Sequence, residues 1–260
     1  MKPLIMITND DGVYSPGLKA AVEAVIDLAD VVIAAPIEQQ TGMGRSFPRT
    51  ADQGMIEQLM LDISGQRVPA YGVHGSPAYA AAHGVLELSP RKPDLCISGI
   101  NYGENLGMVL TCSGTIGAAM EACSHGVPGL ALSAQIEISK HRDRRYPEYS
   151  WQTAGKVTRY WAEKILAEGM PEQVDIFNIN IPEGAEDYMD YRLTRQSRQN
   201  YFEFRKPDER DFSEPYELKA DVRVQKDLLS ENTDIHVMYV EKKISVTPLS
   251  YDMSVDLAAF

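Results

Sequence analysis

The sequence predicts an α/β protein: a Rossmann-like, doubly wound, mostly parallel sheet with a C-terminal β-hairpin extension. Three observations carry this. Short apolar runs such as Leu4–Ile7 and Val31–Ala35 lack polar alternation, as strands buried on both faces do. Helical patterns stand between them. Polar loops follow several runs, which puts reactive side chains at strand C-terminal ends, where open α/β sheets bind ligands.

Leu4–Ile7 is bounded by Thr8-Asn9-Asp10-Asp11-Gly12. Ser15-Pro16 then offers an N-cap and a proline at the first helical position. Leu18, Ala21, Val22, Val25 and Ile26 fall at i, i+3, i+4, i+7 and i+8, one apolar helix face. Val31–Ala35, stopped by Pro36, completes a βαβ unit, for which a right-handed crossover is expected. The loop from Pro36 to Pro48 is polar and holds Gly42 and Gly44. Met55–Ile63 and Val68–Val73 read as strands around a turn at Gly65. Ser76-Pro77 repeats the cap-plus-proline signature, and Ala78–Leu88 reads as a helix. Asp94–Ser98 is a further buried strand, followed by a Gly-rich loop from Gly99 to Gly107. Thr115–Cys123 puts Ile116, Ala119, Met120 and Cys123 on one helix face, and Pro128 precedes the strand Gly129–Ser133. Lys140–Arg145 reads as a charged surface segment. Trp151–Glu168 reads as a helix with a stripe of Trp151, Ala154, Trp161 and Ile165, and Ile176–Ile181 as another strand. The character changes near Pro182. Residues 1–182 form the α/β core, and residues 183–260 a strand and hairpin extension. The extension reads as an arm packed on a neighbouring subunit, or else as a second layer on its own.

The 260 residues carry 25 Lys plus Arg against 37 Asp plus Glu, a formal charge of −12. That argues against non-specific nucleic-acid binding, which needs a basic face. Cys96, Cys112 and Cys123 form no CxxC and read as reduced thiols. The N-terminal apolar run is too short for a signal-peptide core or a membrane span. A soluble cytoplasmic protein is expected. No GxxxxGK[ST], no GxGxxG after the first strand and no GxSxG occurs, so a P-loop NTPase, a dinucleotide reductase and an acyl hydrolase lack support. The histidines, at 74, 83, 125, 141 and 236, show no metal spacing; His74 is the one placed to line a site.

Three loops leave strand C-terminal ends. They carry Asn9, Asp10 and Asp11; Thr41, Gly42 and Gly44; and Asn101 and Asn105. If their strands are neighbours, carboxylates, a hydroxyl and an amide converge as an all-oxygen set, which suits Mg²⁺, Mn²⁺ or Ca²⁺ rather than zinc. Taken singly, each has a plainer reading: Asp-Asp-Gly as a turn, Asn101 as an Asx-turn residue, Thr41 as a loop hydroxyl. Ser113-Gly114-Thr115 reads alone as a helix cap, and beside a metal as a clamp for phosphoryl oxygens.

Thr8-Asn9-Asp10-Asp11-Gly12, Ala35-Pro36 before Thr41-Gly42, Ser98-Gly99-Ile100-Asn101-Tyr102-Gly103-Glu104-Asn105-Leu106-Gly107 and Ser113-Gly114-Thr115 with Gly117-Ala118-Ala119-Met120-Glu121 resemble the SurE family of survival protein E nucleotidases. Gly75-Ser76-Pro77, Thr194-Arg195-Gln196-Ser197 and Ser245-Val246-Thr247-Pro248-Leu249 extend the likeness over nearly the whole chain. The resemblance implies a divalent-metal phosphomonoesterase acting on nucleoside 5′- and 3′-monophosphates. It implies one metal ion (Mg, Mn or Ca) per subunit, held by Asp10, Asp11, Thr41 and Asn101. Asp10, Asp11 and Asn101 would be catalytic. Asn9, Gly42, Asn105, Ser113, Gly114 and Thr115 would bind substrate phosphate. A homodimer or homotetramer is implied as well. The chain departs from the family pattern at Thr41, where serine is usual, at Gly44-Arg45-Ser46, where Gly-His-Ser is usual, and at Ser250, where many relatives carry histidine. These departures keep a second reading, a non-catalytic metal-dependent nucleotide-binding regulator.

Overall fold

The computed structural model describes residues 2–137, 146 and 148–254. Its centre is β1 (Leu4–Thr8), buried throughout, which pairs in parallel with β2 (Asp30–Pro36) on one side. On its other side lies β5 (Leu95–Tyr102), also parallel. From β2 the sheet continues to β4 (Gln66–Val73) and its antiparallel hairpin partner β3 (Ile56–Ile63). From β5 it continues through parallel β6 (Gly129–Ala134) and β7 (Ile176–Ile181). The chain thus winds outward from β1 in one direction and then returns to wind in the other. The crevice between the ends of β1 and β5 is the topological switch point.

Alternation along β1 assigns the two faces. Ile5 and Ile7 join the cluster under α1 (Pro16–Val25) and α4 (Gln152–Glu168), whereas Met6 joins Ala81, Val85, Ala118 and Ala122 of the opposite layer. That layer holds α2 (Pro77–His83) and α3 (Gly114–Ser124).

Local chemistry explains most boundaries. Ser76 caps α2, its Oγ accepting from Tyr79 N at 3.1 Å. Ser15 occupies the N-cap of α1 without a capping bond, so the proline after it sets that start. The Ala78–Leu88 helix is shorter than its pattern: α2 stops at His83 and widens into a π-turn over Gly84–Leu88. Strand β5 outruns the Asp94–Ser98 expectation. After an irregularity beyond Ser98, pairing with β6 resumes at Asn101 opposite Ser133, so Asn101 sits in the strand's end rather than in a loop. The hairpin turn at Ser64-Gly65 has both residues at positive φ, as tight hairpins require. Lys140–Arg145 lies outside the described residues.

Past Pro182 the chain does two things. β11 (Ile244–Leu249) returns antiparallel to β7, and β8 (Tyr191–Leu193) lies parallel on β11, so both complete the main sheet. β9 (Phe202–Phe204) and β10 (Ala220–Val222) form a separate antiparallel pair. Among the described residues no helix is long and apolar enough to cross a membrane.

Asp234, in the short helix α5 (Asp234–His236), joins these parts. It is fully buried, and its carboxylate accepts from the backbone N–H of Gly107, Ser197 and Ile235, each at 2.8 Å. Burial pushes its carboxyl upward while the three bonds hold it down. Tyr201 adds a second tie, donating to the Glu104 carbonyl at 2.8 Å. The loop beyond β5 is therefore gripped from behind by the extension. Asp234→Ala would strand three buried donors and is expected to cost on the order of 3 kcal/mol in urea unfolding.

Candidate active site at the β1–β5 switch point

The loop after β1 is closed by Asn9, whose buried side chain donates to Gly12 O and accepts from Gly12 N, both at 3.1 Å. The next loop is tied to it: Gln40 N donates to Asp10 O at 2.7 Å. Asp10 and Asp11 then face different walls of one cleft. Asp10 Oδ1 accepts from Thr115 Oγ1 of α3 at 2.7 Å. Asp11 Oδ2 accepts from Tyr102 N of β5 at 2.9 Å, and its Oδ1 from Gln39 Nε2 at 3.1 Å. Tyr146 donates to the Asp11 carbonyl at 3.0 Å.

Both carboxylates are buried, at 3% and 1% exposure. Burial pushes both toward the protonated form, and the Asp10 charge pushes Asp11 further. The bonds from Thr115, Tyr102 and Gln39 work against this, and among the described residues no cationic side chain acts on either group. Two adjacent buried anions with no cationic partner among the described residues are costly as they stand, and a small hard cation offsets that cost. The remaining donors fit such an ion. Asn101 Nδ2 donates to Gly103 O at 2.6 Å, and its Oδ1 has no donor among the described residues. Among those residues no three His, Cys, Asp or Glu converge, so a cation here depends on amide and hydroxyl oxygens as well.

Asn105 is fixed beside Thr115, its Nδ2 3.5 Å from Thr115 Oγ1. Its N–H donates to Asn180 Oδ1 at 2.7 Å, its carbonyl accepts from Asn178 and Asn180 of β7, and its Nδ2 donates to Ser133 Oγ at 2.9 Å. Ser113 caps α3 through Ile116 N at 3.2 Å, as the plain reading expects. Gly114 lets the helix start touch the carboxylate: a Cβ there would lie 2.7 Å from Asp10 Cβ and 2.8 Å from Asp10 Oδ2.

Asn9, Asp10, Asp11, Asn101, Asn105, Ser113, Gly114 and Thr115 thus gather at one crevice. Thr41 and Gly42 stand on its exposed rim, and Thr41 makes no bond to the carboxylates or to Asn101. Sequence reasoning missed Gln39, the Tyr102 amide and Tyr146. Only Gln39, a polar residue in a loop already singled out, carried a signal. His74 faces elsewhere, its ring nitrogens 2.8 Å from Asp52 Oδ2 and 2.9 Å from Glu57 Oε1. Ser250 lies at the opposite end of the sheet, beyond Leu249, which pairs with Ile176 at the start of β7, and its hydroxyl donates to Asp175 Oδ2 at 2.9 Å.

Because these carboxyls are raised in the fold, each costs stability where it is ionised, above the ordinary carboxylate range, and that cost fades as pH falls. Asp11→Asn is expected to raise the melting temperature of metal-free protein at pH 8, with the gain shrinking towards pH 4, as read by differential scanning calorimetry.

A family model described as Survival protein SurE matches residues 5–203. The 5'-nucleotidase SurE of Methanosarcina mazei is 41% identical over 260 residues, spanning 97% of this chain and 93% of that protein. The 5'-nucleotidase SurE of Methanothermobacter thermautotrophicus is 45% identical over 202 residues, 76% of this chain and 74% of that protein. The crystal structure of the SurE protein from Aquifex aeolicus superposes with a TM-score of 0.73 at 30% identity, covering 97% of this chain and 95% of that one. With the sheet order, the paired carboxylates and these similarities together, the chain belongs to the SurE family.

Proposed function

We propose that this protein is a phosphomonoesterase that hydrolyses nucleoside 5′- and 3′-monophosphates to nucleoside and phosphate, with one divalent cation (Mg²⁺, Mn²⁺ or Ca²⁺) per subunit. The observation that carries the reading is the buried Asp10–Asp11 pair, with no cationic partner among the described residues, set against a helix N-terminus. Relatives carrying the name 5'-nucleotidase support the substrate class.

Asp10, Asp11 and Asn101 would hold the ion through oxygen, with Thr41 completing the set from the rim. When bound, such an ion offsets the charge of the phosphate dianion and lowers the pKa of a water in its shell. The chain's own groups do the rest. Thr115 orients Asp10, and the Tyr102 amide with Gln39 orients Asp11. Ser113 Oγ takes the Ile116 N–H and keeps its own proton to donate. That proton, the Asn105 amide and the Gly114 N–H at the start of α3 would receive the phosphoryl oxygens. A carboxylate of the pair would take the proton of the attacking water, the water oxygen joining phosphorus as the bond to the nucleoside oxygen breaks, and would then pass that proton to the departing nucleoside oxygen. Three free cysteines support a reducing, cytoplasmic setting. Leu193, Phe204 and Leu228, each more than half exposed on the extension, support a homodimer or homotetramer closed through that region.

Phosphate release from a panel of nucleoside 5′- and 3′-monophosphates, with and without Mn²⁺ or Mg²⁺, tests the reading. Metal-dependent release is expected. Nucleotide binding without release would favour the regulatory alternative. Asp10→Asn and Asp11→Asn are each expected to abolish release with the circular dichroism spectrum unchanged. Thr41→Ser should titrate with Mn²⁺ as the parent does, whereas Thr41→Val should bind it more weakly.

A further inference from the structure

One stripe of α3 docks both loops of the site. Gly114, Gly117 and Glu121 stand at i, i+3 and i+7, on one helix face. Gly114 meets Asp10. Gly117 meets the second loop: a Cβ there would lie 2.3 Å from the carbonyl carbon and oxygen of Gly44. Gly44 N also donates to Cys112 O at 3.0 Å. Glu121 then takes the next residue of that loop, Arg45 Nε donating to Glu121 Oε2 at 2.8 Å. The Glu121 side chain is 8% exposed and that of Arg45 44%. The other oxygen, Glu121 Oε1, lies 3.1 Å from His125 Nε2, which holds the carboxylate in place.

We infer that Arg45 is a positioning residue: locked to Glu121, it fixes the 41–46 loop on α3 and so sets Thr41 relative to Asp10 and Asp11. The inference deepens the metallophosphatase reading and rests on it. Arg45 is the one charged side chain in this short loop. Its guanidinium is directed to the helix flank rather than to the carboxylate pair, so its effect on the site passes through the loop backbone. A half-exposed arginine on a buried carboxylate makes a charge-assisted bond, stronger than a neutral one, without adding to the core.

The test uses the full chain in three measurements: Mn²⁺ titration followed by electron paramagnetic resonance, amide hydrogen exchange at residues 43 and 44, and phosphate-release kinetics. Arg45→Ala is expected to weaken Mn²⁺ binding about 10-fold, the lower end of what outer partners of metal ligands contribute. It should also speed exchange of the Gly44 amide while leaving the melting temperature near that of the parent. Glu121→Gln should act in the same direction, and the double variant should be no worse than Arg45→Ala, since both changes weaken one interaction. Arg45→Lys should recover most of the loss, because a bond made through a single nitrogen can be replaced by an ammonium group. Parent-like Mn²⁺ affinity and amide exchange in Arg45→Ala would overturn the inference. So would additive effects in the double variant, or a lower KM in Glu121→Gln, which would mean that a released guanidinium binds phosphate. A parent protein that binds Mn²⁺ but releases no phosphate would refute the enzymatic reading alone, and the titration and exchange results would still decide the role of Arg45.

Discussion

Two neighbouring carboxylates out of water, with no cation among the described residues beside them, are the constraint around which this molecule is arranged. A sheet that only needed to be stable would not keep them there. Each is held by a different element, Asp10 by α3 and Asp11 by β5, so their mutual geometry depends on both layers and on the central strands at once. The switch point makes this possible. It opens a gap between β1 and β5 without interrupting their pairing, and the pairing continues to Thr8 and Ser98.

Much of this was legible in the sequence because it is local. The apolar run of β1, the helix face from Leu18 to Val25 and the Ser76 cap depend on neighbours within a turn or two, and the structure keeps them. The rule about strand ends grouped the Asp10, Thr41 and Asn101 segments; with β2, β1 and β5 adjacent, the structure brings Asp10 and Asn101 to one crevice and leaves Thr41 on its rim. What escaped is what distant partners decide. The stretch after Ser98 looks like a turn, yet β6 recruits it into the sheet. Ile244 and Val246 alternate with Ser245 and Thr247 as a half-exposed strand would, and only the paired strand β7 shows that this segment closes the main sheet. In the same way, nothing near Arg45 announces a partner 76 positions away.

The departures from the family pattern sort by distance from the cleft. Thr41 stands on the rim and keeps its hydroxyl. Arg45 is directed to the flank of α3, and Ser250 sits at the far end of the sheet, bonded to Asp175. The two charge-changing exchanges therefore leave the crevice floor as it is.

The wall that carries Asn105 is assembled late. Asn105 is pinned by Asn178 and Asn180, Glu104 by Tyr201, and Gly107 by Asp234. A ribosome reads the chain in order, so the first hundred residues can lay down β1, β2 and the acidic turn well before any of those anchors has left the exit tunnel. A nascent or truncated chain would hold its two aspartates in a half-built cleft, and competence would arrive only when synthesis is nearly over.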